Sequence, residues 1–340
     1  MAQRTTVAIT GATGLLGSYI ARVLAADGRY AVRAARRANS TTVLLGEAAA
    51  RIEWLTGDLR DLDFQDELLR DAEIVVHAAG LVSYKPGDAA ALRELNVELT
   101  ADLVNLSLEA GARQFVHLSS VAAISPDGGV DVSQEQHTTF YPDAATTRYA
   151  RSKHAAELEV WRGAEEGLAV TVLNPSVVLG GGFWDRSSCR LFGWVDAGQR
   201  FYPTGSTGYV DVRDVAAFAK TCIDDYLVGE RYILNADNWR YKRFFDAVAE
   251  ALGVAPPHTP VNHWQAEAAW RAEAARSLVT RTTPLLTRES ARRSMSHSAF
   301  DNQKSVNAGA AYRPVGETIE EVAALYRATQ ARGWGVLSLP

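Results

Sequence analysis

The chain has 340 residues, 47% of them apolar and 22% charged, with a formal net charge of −5. That length predicts one large domain plus a smaller lobe. The acidic balance argues against a nucleic-acid partner, and no run approaches the roughly 20 apolar residues of a membrane-crossing helix.

The N-terminus runs straight into a strand pattern, without the charged, apolar and small-residue sections of a signal peptide. The two cysteines, Cys189 and Cys222, cannot build a framework of disulfides. A reducing cytoplasm is therefore the expected setting.

The first half alternates short apolar runs with helical spacing. Thr5–Thr10, Ala31–Arg36, Ile52–Leu59, Glu73–Ala79, Gln114–Ser119 and Ala169–Asn174 read as strands. Several lack the period-2 alternation of a half-wet strand, as strands buried on both faces do. Leu15–Asp27, Phe64–Arg70, Ala89–Ala110 and Arg148–Glu166 read as helices between them. Such alternation implies parallel pairing and right-handed crossovers, hence a doubly wound α/β sheet.

After Pro175 the rhythm breaks. Gly180-Gly181-Gly182 opens a loop-rich stretch with Phe183, Trp184, Phe192 and Trp194. Tyr209–Val215 and Arg231–Asn235 read as a return to the sheet. Phe244–Leu252 is helical until Pro256-Pro257, and Thr318–Arg332 closes the chain as a helix. The expected organisation is a nucleotide-binding domain over residues 1–175, rejoined by 208–235. A substrate lobe would comprise 176–207 and 236–340. The basic stretch Arg288–Arg293 reads as a solvated helix face.

Gly11-Ala12-Thr13-Gly14-Leu15-Leu16-Gly17 lies between the first strand and the first helix. Glycines there permit a tight turn and close backbone approach to a diphosphate, and the helix start favours the anion. A lone glycine pattern also fits a plain turn; its place in the alternating series points to a dinucleotide site. An acid at the end of the second strand would bind a ribose 2′-hydroxyl, whereas arginine accommodates a 2′-phosphate. The sequence has Ala34-Ala35-Arg36-Arg37-Ala38. NADP is therefore expected over NAD, with Arg36 or Arg37 at the phosphate.

Tyr149 and Lys153 stand four apart at the start of a helix, so both side chains share one face. A phenol titrates near ~10, and a neighbouring cation favours its ionised form. Lys153 is one such cation. Twelve tyrosines and five lysines in this chain would give only about 0.2 accidental pairs at this spacing. Ser119 and Ser120 end the fifth strand, where ligands of parallel sheets bind, and a hydroxyl there can hold a substrate oxygen. Either serine could instead satisfy its own turn.

In order along the chain, Gly11–Gly17, Gly57-Asp58-Leu59, His77-Ala78-Ala79-Gly80, Asn96-Val97, Leu118-Ser119-Ser120, Tyr149-Ala150-Arg151-Ser152-Lys153 and Asn174-Pro175 resemble the extended short-chain dehydrogenase/reductases. That family, which includes NAD-dependent epimerases and dehydratases, has a Rossmann-type fold. The resemblance implies Ser120, Tyr149, Lys153 and Asn96 as catalytic residues, with Tyr149 exchanging the proton. Lys153 would bind the nicotinamide ribose and lower the tyrosine's pKa, and Asn96 would support the site. Cofactor contacts would come from Gly11, Ala12, Thr13, Gly14, Leu15, Leu16, Gly17, Asp58, Leu59, Ala78, Ala79, Gly80 and Ser119. Pro175, Val177 and Val178 would meet the nicotinamide end, and Asp58 the adenine.

Ser120 is followed by Val121-Ala122-Ala123, without the acidic pair of the dehydratases. Thr207-Gly208 replaces the Arg-Asp pair of nucleotide-sugar enzymes, although Arg186, Arg190 or Arg200 offer substitutes. The aromatic loops, with Phe201 and Tyr202, suit an apolar or ring-bearing substrate and equally suit core packing. Pro284–Ser290, Asp301–Lys304 and Tyr312-Arg313-Pro314, with the arginines of the second strand, resemble dihydroflavonol-reductase-like members.

The resulting expectation is an NADPH-dependent reductase of ketones or aldehydes, or the reverse oxidation. An epimerase that retains its nicotinamide is the alternative. A non-catalytic NADP-binding regulator is a third reading, which the retained Tyr149 and Lys153 disfavour. Family resemblance also implies a homodimer through the helices 89–110 and 148–166. No metal site is expected, since His258 and His263 lack a third ligand. His77 and His117 read as hydrogen-bonded core residues, and Cys189 carries no nucleophile signal.

Overall fold

The Val/Ile-rich runs of the first half form strands covered on both faces, in a computed structural model that describes residues 4–124, 132–135, 146–280, 287–333 and 335–336. In chain order these are β1 (Thr5–Thr10), α1 (Leu15–Ala26), β2 (Tyr30–Arg36), β3 (Glu53–Thr56), α2 (Leu62–Leu69) and β4 (Ile74–His77). Next come α3 (Ala89–Leu92), α4 (Leu99–Glu109), β5 (Gln114–Leu118), α5 (Arg148–Glu165), β6 (Val170–Pro175) and β7 (Val177–Leu179). The remainder comprises α6 (Arg190–Asp196), β8 (Phe201–Tyr202), β9 (Ser206–Asp211), α7 (Val212–Asp224), β10 (Glu230–Leu234), β11 (Asp237–Arg240) and α8 (Tyr241–Leu252). Then follow β12 (Thr259–Pro260), α9 (His263–Thr280), α10 (Arg288–Met295), α11 (Gln303–Asn307) and α12 (Val315–Ala331).

Seven strands pair in parallel in the order β10-β6-β5-β4-β1-β2-β3. Every residue of β4, β5 and β6 is buried, which accounts for their missing alternation. One apolar core fills the sheet face beneath α1, α7 and the lobe; a second lies beneath α2, α4 and α5. The strand order reverses between β1 and β4, and ligands of such sheets bind at that switch point.

Tyr209–Val215 departs from expectation. The strand stops at Asp211, whose carboxylate accepts the Arg213 amide at 2.7 Å and caps α7. Val212, Val215, Ala216 and Ala219 then bury a helical stripe. Moreover, β9 pairs with β7 and β11 in a separate three-stranded sheet. The return to the main sheet runs through β10, in register with β6. The helix expected over 89–110 is interrupted by a π-helical turn at Arg93–Glu98.

The lobe folds against the first helix: the Tyr19 hydroxyl donates to the Gly181 carbonyl at 3.2 Å. Its aromatics largely make core. Trp184 meets Phe192 and Tyr326 edge-on, and Trp194 packs on Phe245. Pro284, Leu285 and Leu286 lie outside the described residues. Cys189 and Cys222 are buried free thiols, both pushed up to about 12 by burial.

Candidate active site

The turns after β1 and β4 touch at the switch point. Gly11 has φ +73°, and a Cβ on it would lie 2.5 Å from the Ala79 amide nitrogen. A Cβ on Gly17 would lie 2.2 Å from the Gly11 carbonyl oxygen, so α1 starts directly on the turn. Gly14, the N-cap, donates to the Gly11 carbonyl at 2.9 Å and provides no side-chain cap. The amides of the first turn are thus left for a ligand, and the backbone is bare where a diphosphate would approach. Ala12 is buried within this loop and Thr13 half-buried. The residues fit a dinucleotide.

Tyr149 and Lys153 sit in the first turns of α5, whose start is fixed by Thr147 Oγ1 accepting the Ala150 amide at 3.0 Å. Both side chains are buried. The Lys153 ammonium donates to the Leu118 carbonyl at 2.8 Å, at the end of β5. Burial drives this ammonium from its ordinary 10.5 down to about 8, against the pull of the Glu157 carboxylate. Burial likewise pushes the Tyr149 phenol well above its ordinary value. Tyr84 adds to that rise, and the Ser120 side chain opposes it. Ser120 Oγ accepts the Ala122 amide at 3.1 Å, so its hydroxyl serves its own turn.

Asn96 lies in the π-helical turn. Its side chain accepts the Leu81 amide at 2.7 Å, donates to the Leu81 carbonyl at 3.0 Å and donates to Ser152 Oγ at 2.9 Å. A Cβ on Gly80 would lie 3.2 Å from Asn96 Oδ1 and 3.9 Å from Lys153 Nζ. Asn96 therefore staples the turn after β4 to the helix that carries Tyr149 and Lys153. Single π turns recur at functional sites.

Behind this surface lies a polar network that the sequence reading did not single out. Glu157 is fully buried. Its carboxylate accepts the Ser119 hydroxyl and pairs with the Arg231 guanidinium of β10. It also accepts Asn174 Nδ2 at 2.6 Å, and the same amide donates to the Ser120 carbonyl at 2.9 Å. Ser119 thus points into this network. The only sequence signal was spacing, since Glu157 follows Lys153 by four residues.

A family profile described as NAD dependent epimerase/dehydratase matches residues 7–232, a span that includes both the glycine turn and the Tyr149–Lys153 helix. The chain belongs to that family. Family members are NAD(P)-dependent epimerases, dehydratases and reductases. Sterol demethylase protein B of Methylococcus capsulatus is 32% identical over 262 residues, covering 75% of this chain and 77% of that protein. A Synechocystis protein with a provisional dihydroflavonol 4-reductase name is 29% identical over 267 residues, covering 75% of each. The crystal structure of gox2253 superposes with a TM-score of 0.80 at 27% identity, over 96% of this chain and 98% of that one.

Other expected positions of this epimerase/dehydratase-family chain fall as follows. Arg36 ends β2 with its guanidinium over the Trp54 ring and Nε donating to Thr56 Oγ1 at 3.2 Å; Arg37 is exposed. Asp58, beside half-buried Leu59, is held at about 2 by its hydrogen bonds from Arg60, a partner the sequence did not flag. Pro175 is buried at the end of β6, and Val177 and Val178 are half-buried in β7. Of the Thr207-Gly208 pair, Thr207 is buried, and a Cβ on Gly208 would lie 2.1 Å from Asn235 Oδ1, so the second position is crowded by Asn235. His77 is bonded as expected, to Thr10 and Thr100 hydroxyls at 2.7 and 3.0 Å. His117 departs from expectation: neither ring nitrogen has a partner among the described residues.

Proposed function

We propose that the chain is an NADPH-dependent reductase that converts a ketone or aldehyde to an alcohol, or runs the reverse. The observation that carries this reading is the buried Tyr149–Lys153 pair on one face of α5, with the Lys153 ammonium on the Leu118 carbonyl at the end of β5 and the Gly80 turn against Lys153. A bound nicotinamide supplies the hydride for the carbonyl carbon. Tyr149 gives the carbonyl oxygen its proton, and in reverse removes that proton from the alcohol. Ser120 holds the oxygen as charge changes on it. Lys153, four residues on along the same helix face, is the cation assigned to offset the burial that raises the phenol. The amides of the first turn of α1 would hold the diphosphate, and Arg36 and Arg37 would supply the charge for a 2′-phosphate.

Two observations support reduction over the family's other reactions. No acid follows Ser120, which removes the dehydratase's extra proton acceptor. The arginine of the nucleotide-sugar pair is replaced by uncharged Thr207, which removes a diphosphate anchor from the substrate side. The Methylococcus relative is named for sterol demethylation, and the ring of Tyr84 stands against Tyr149; a bulky apolar carbonyl is thus the substrate class to test first.

The test is absorbance of reduced nicotinamide with purified protein, NADPH or NADH, and a panel of cyclic, aromatic and aliphatic carbonyls. Consumption favouring NADPH is the expected result. No consumption with any carbonyl, together with nicotinamide carried through purification, would replace the reductase by an epimerase.

A further inference from the structure

We propose that Glu157 is a positioning residue for this site: fully buried one turn beyond Lys153, it fixes the strand end Leu118–Ser120 and sets a negative charge beneath the Lys153 ammonium. The proposal rests on the reading of Tyr149 and Lys153 as the reacting pair.

The geometry supplies the first half. Leu118 accepts the Lys153 ammonium, Ser119 donates to Glu157, and the Ser120 carbonyl accepts Asn174, whose amide is itself held by Glu157. Three successive residues are thereby tied to one helix face, and the middle tie and the relay to Ser120 both end on one carboxylate. Arg231 neutralises that carboxylate from behind and lies over the Trp161 ring at 5.8 Å. A buried charge is expensive unless paired, so the ion pair lets a carboxylate stand here at all.

Electrostatics supplies the second half. His77 of β4 and His117 of β5 face Lys153 and are held neutral by burial. On α5 itself the neighbours are neutral Tyr149 and the Glu157 carboxylate, with Arg231 of β10 behind the latter. Among the described residues Glu157 is thus the negative charge that acts on Lys153, and it opposes the loss of the ammonium in a dry site. A residue that merely packed would leave the lysine's titration where it is.

The test reads that titration directly, in the cofactor-free protein and without any substrate. The chain has five lysines, so lysine labelled with carbon-13 at Cε gives few signals, and Lys153→Met identifies the one from Lys153. The midpoint should lie near 8 in the parent protein and fall by about one pH unit in Glu157→Gln. Glu157→Asp, which keeps the charge, should recover part of the difference. If Glu157→Gln does not fold, the double variant Glu157→Gln/Arg231→Met, which removes both buried charges together, decides the matter. An unmoved midpoint in whichever variant folds would overturn the proposal, as would loss of fold in both. A moved midpoint in a protein that reduces no carbonyl would leave this proposal standing and overturn only the reductase reading.

Discussion

The ring of Tyr84 meets that of Tyr149 edge-on, with centroids 6.0 Å apart. The contact brings the segment after β4 against the proposed proton donor, so the Tyr149 ring is braced by packing. Tyr149→Phe keeps that contact and deletes only the hydroxyl. Turnover should fall by about 10²–10⁴-fold, the usual worth of a positioned acid–base group. Thermal stability and cofactor affinity should stay close to the parent values in melting and fluorescence titrations. A variant within tenfold of the parent would remove Tyr149 from the chemistry.

Gly17→Ala places a methyl 2.2 Å from the Gly11 carbonyl oxygen and 2.7 Å from its carbon. Both are backbone atoms in a turn that already abuts Ala79, so neither can give way cheaply. The expected cost is about 1–3 kcal/mol of stability, with weakened dinucleotide binding. Gly14→Ala, facing only a 3.3 Å contact with the same oxygen, should be the milder of the two in the same thermal melts.

Cofactor choice is tested by replacing Arg36 and Arg37 together with alanine. Each charge-assisted bond to a phosphate is worth about 1.5–3 kcal/mol. NADPH affinity should therefore drop by at least about tenfold, while NADH affinity hardly changes. Equal losses for both nucleotides, measured by calorimetry, would show that these arginines do not read the 2′-phosphate.

His77 and His117 make stability depend on pH. Burial, aided by the Lys153 charge, lowers His77 from its ordinary 6.5 to about 3 and lowers His117 well below 6.5. The unfolded chain takes up protons near 6.5 while the folded chain does not. Stability from this source is complete above 6.5 and drains as the pH falls toward 3. His117→Leu removes an imidazole with two unpartnered nitrogens. It should raise stability at neutral pH by about 1 kcal/mol or more and flatten the acid limb of a denaturant series run from pH 7 to 5. A destabilised variant would mean that the ring has a partner in solution.

The parts of the site that rest on short-range spacing were readable in the sequence. Gly11, Gly14 and Gly17 sit within one turn, and Tyr149 and Lys153 within one helical repeat. Glu157 repeats that interval, but its meaning depends on Ser119 just past β5, Asn174 of β6 and Arg231 of β10. Arg231 lies 74 residues away. Sequence periodicity carries no information about such meetings. Asp211 shows the opposite failure: a local cap was available to read, and the valines spaced through Val215 concealed it. The lobe aromatics stayed ambiguous because an aromatic ring packs in a core or lines a pocket with the same composition, and only their mutual ring contacts separate the two.

The π-helical turn at Arg93–Glu98 makes chain length itself a determinant of the site. An α-helix advances 100° per residue. Deleting one residue from that turn would let it relax to a regular α-helix, swinging Asn96 around the axis relative to α4 and away from Leu81 and Ser152. The composition of the helix would be nearly unchanged, and so would its apolar stripe downstream. Alignment of the Gly80 turn with Lys153 is therefore stored as a count of residues, which makes this stretch tolerant of many substitutions and intolerant of a single insertion or deletion.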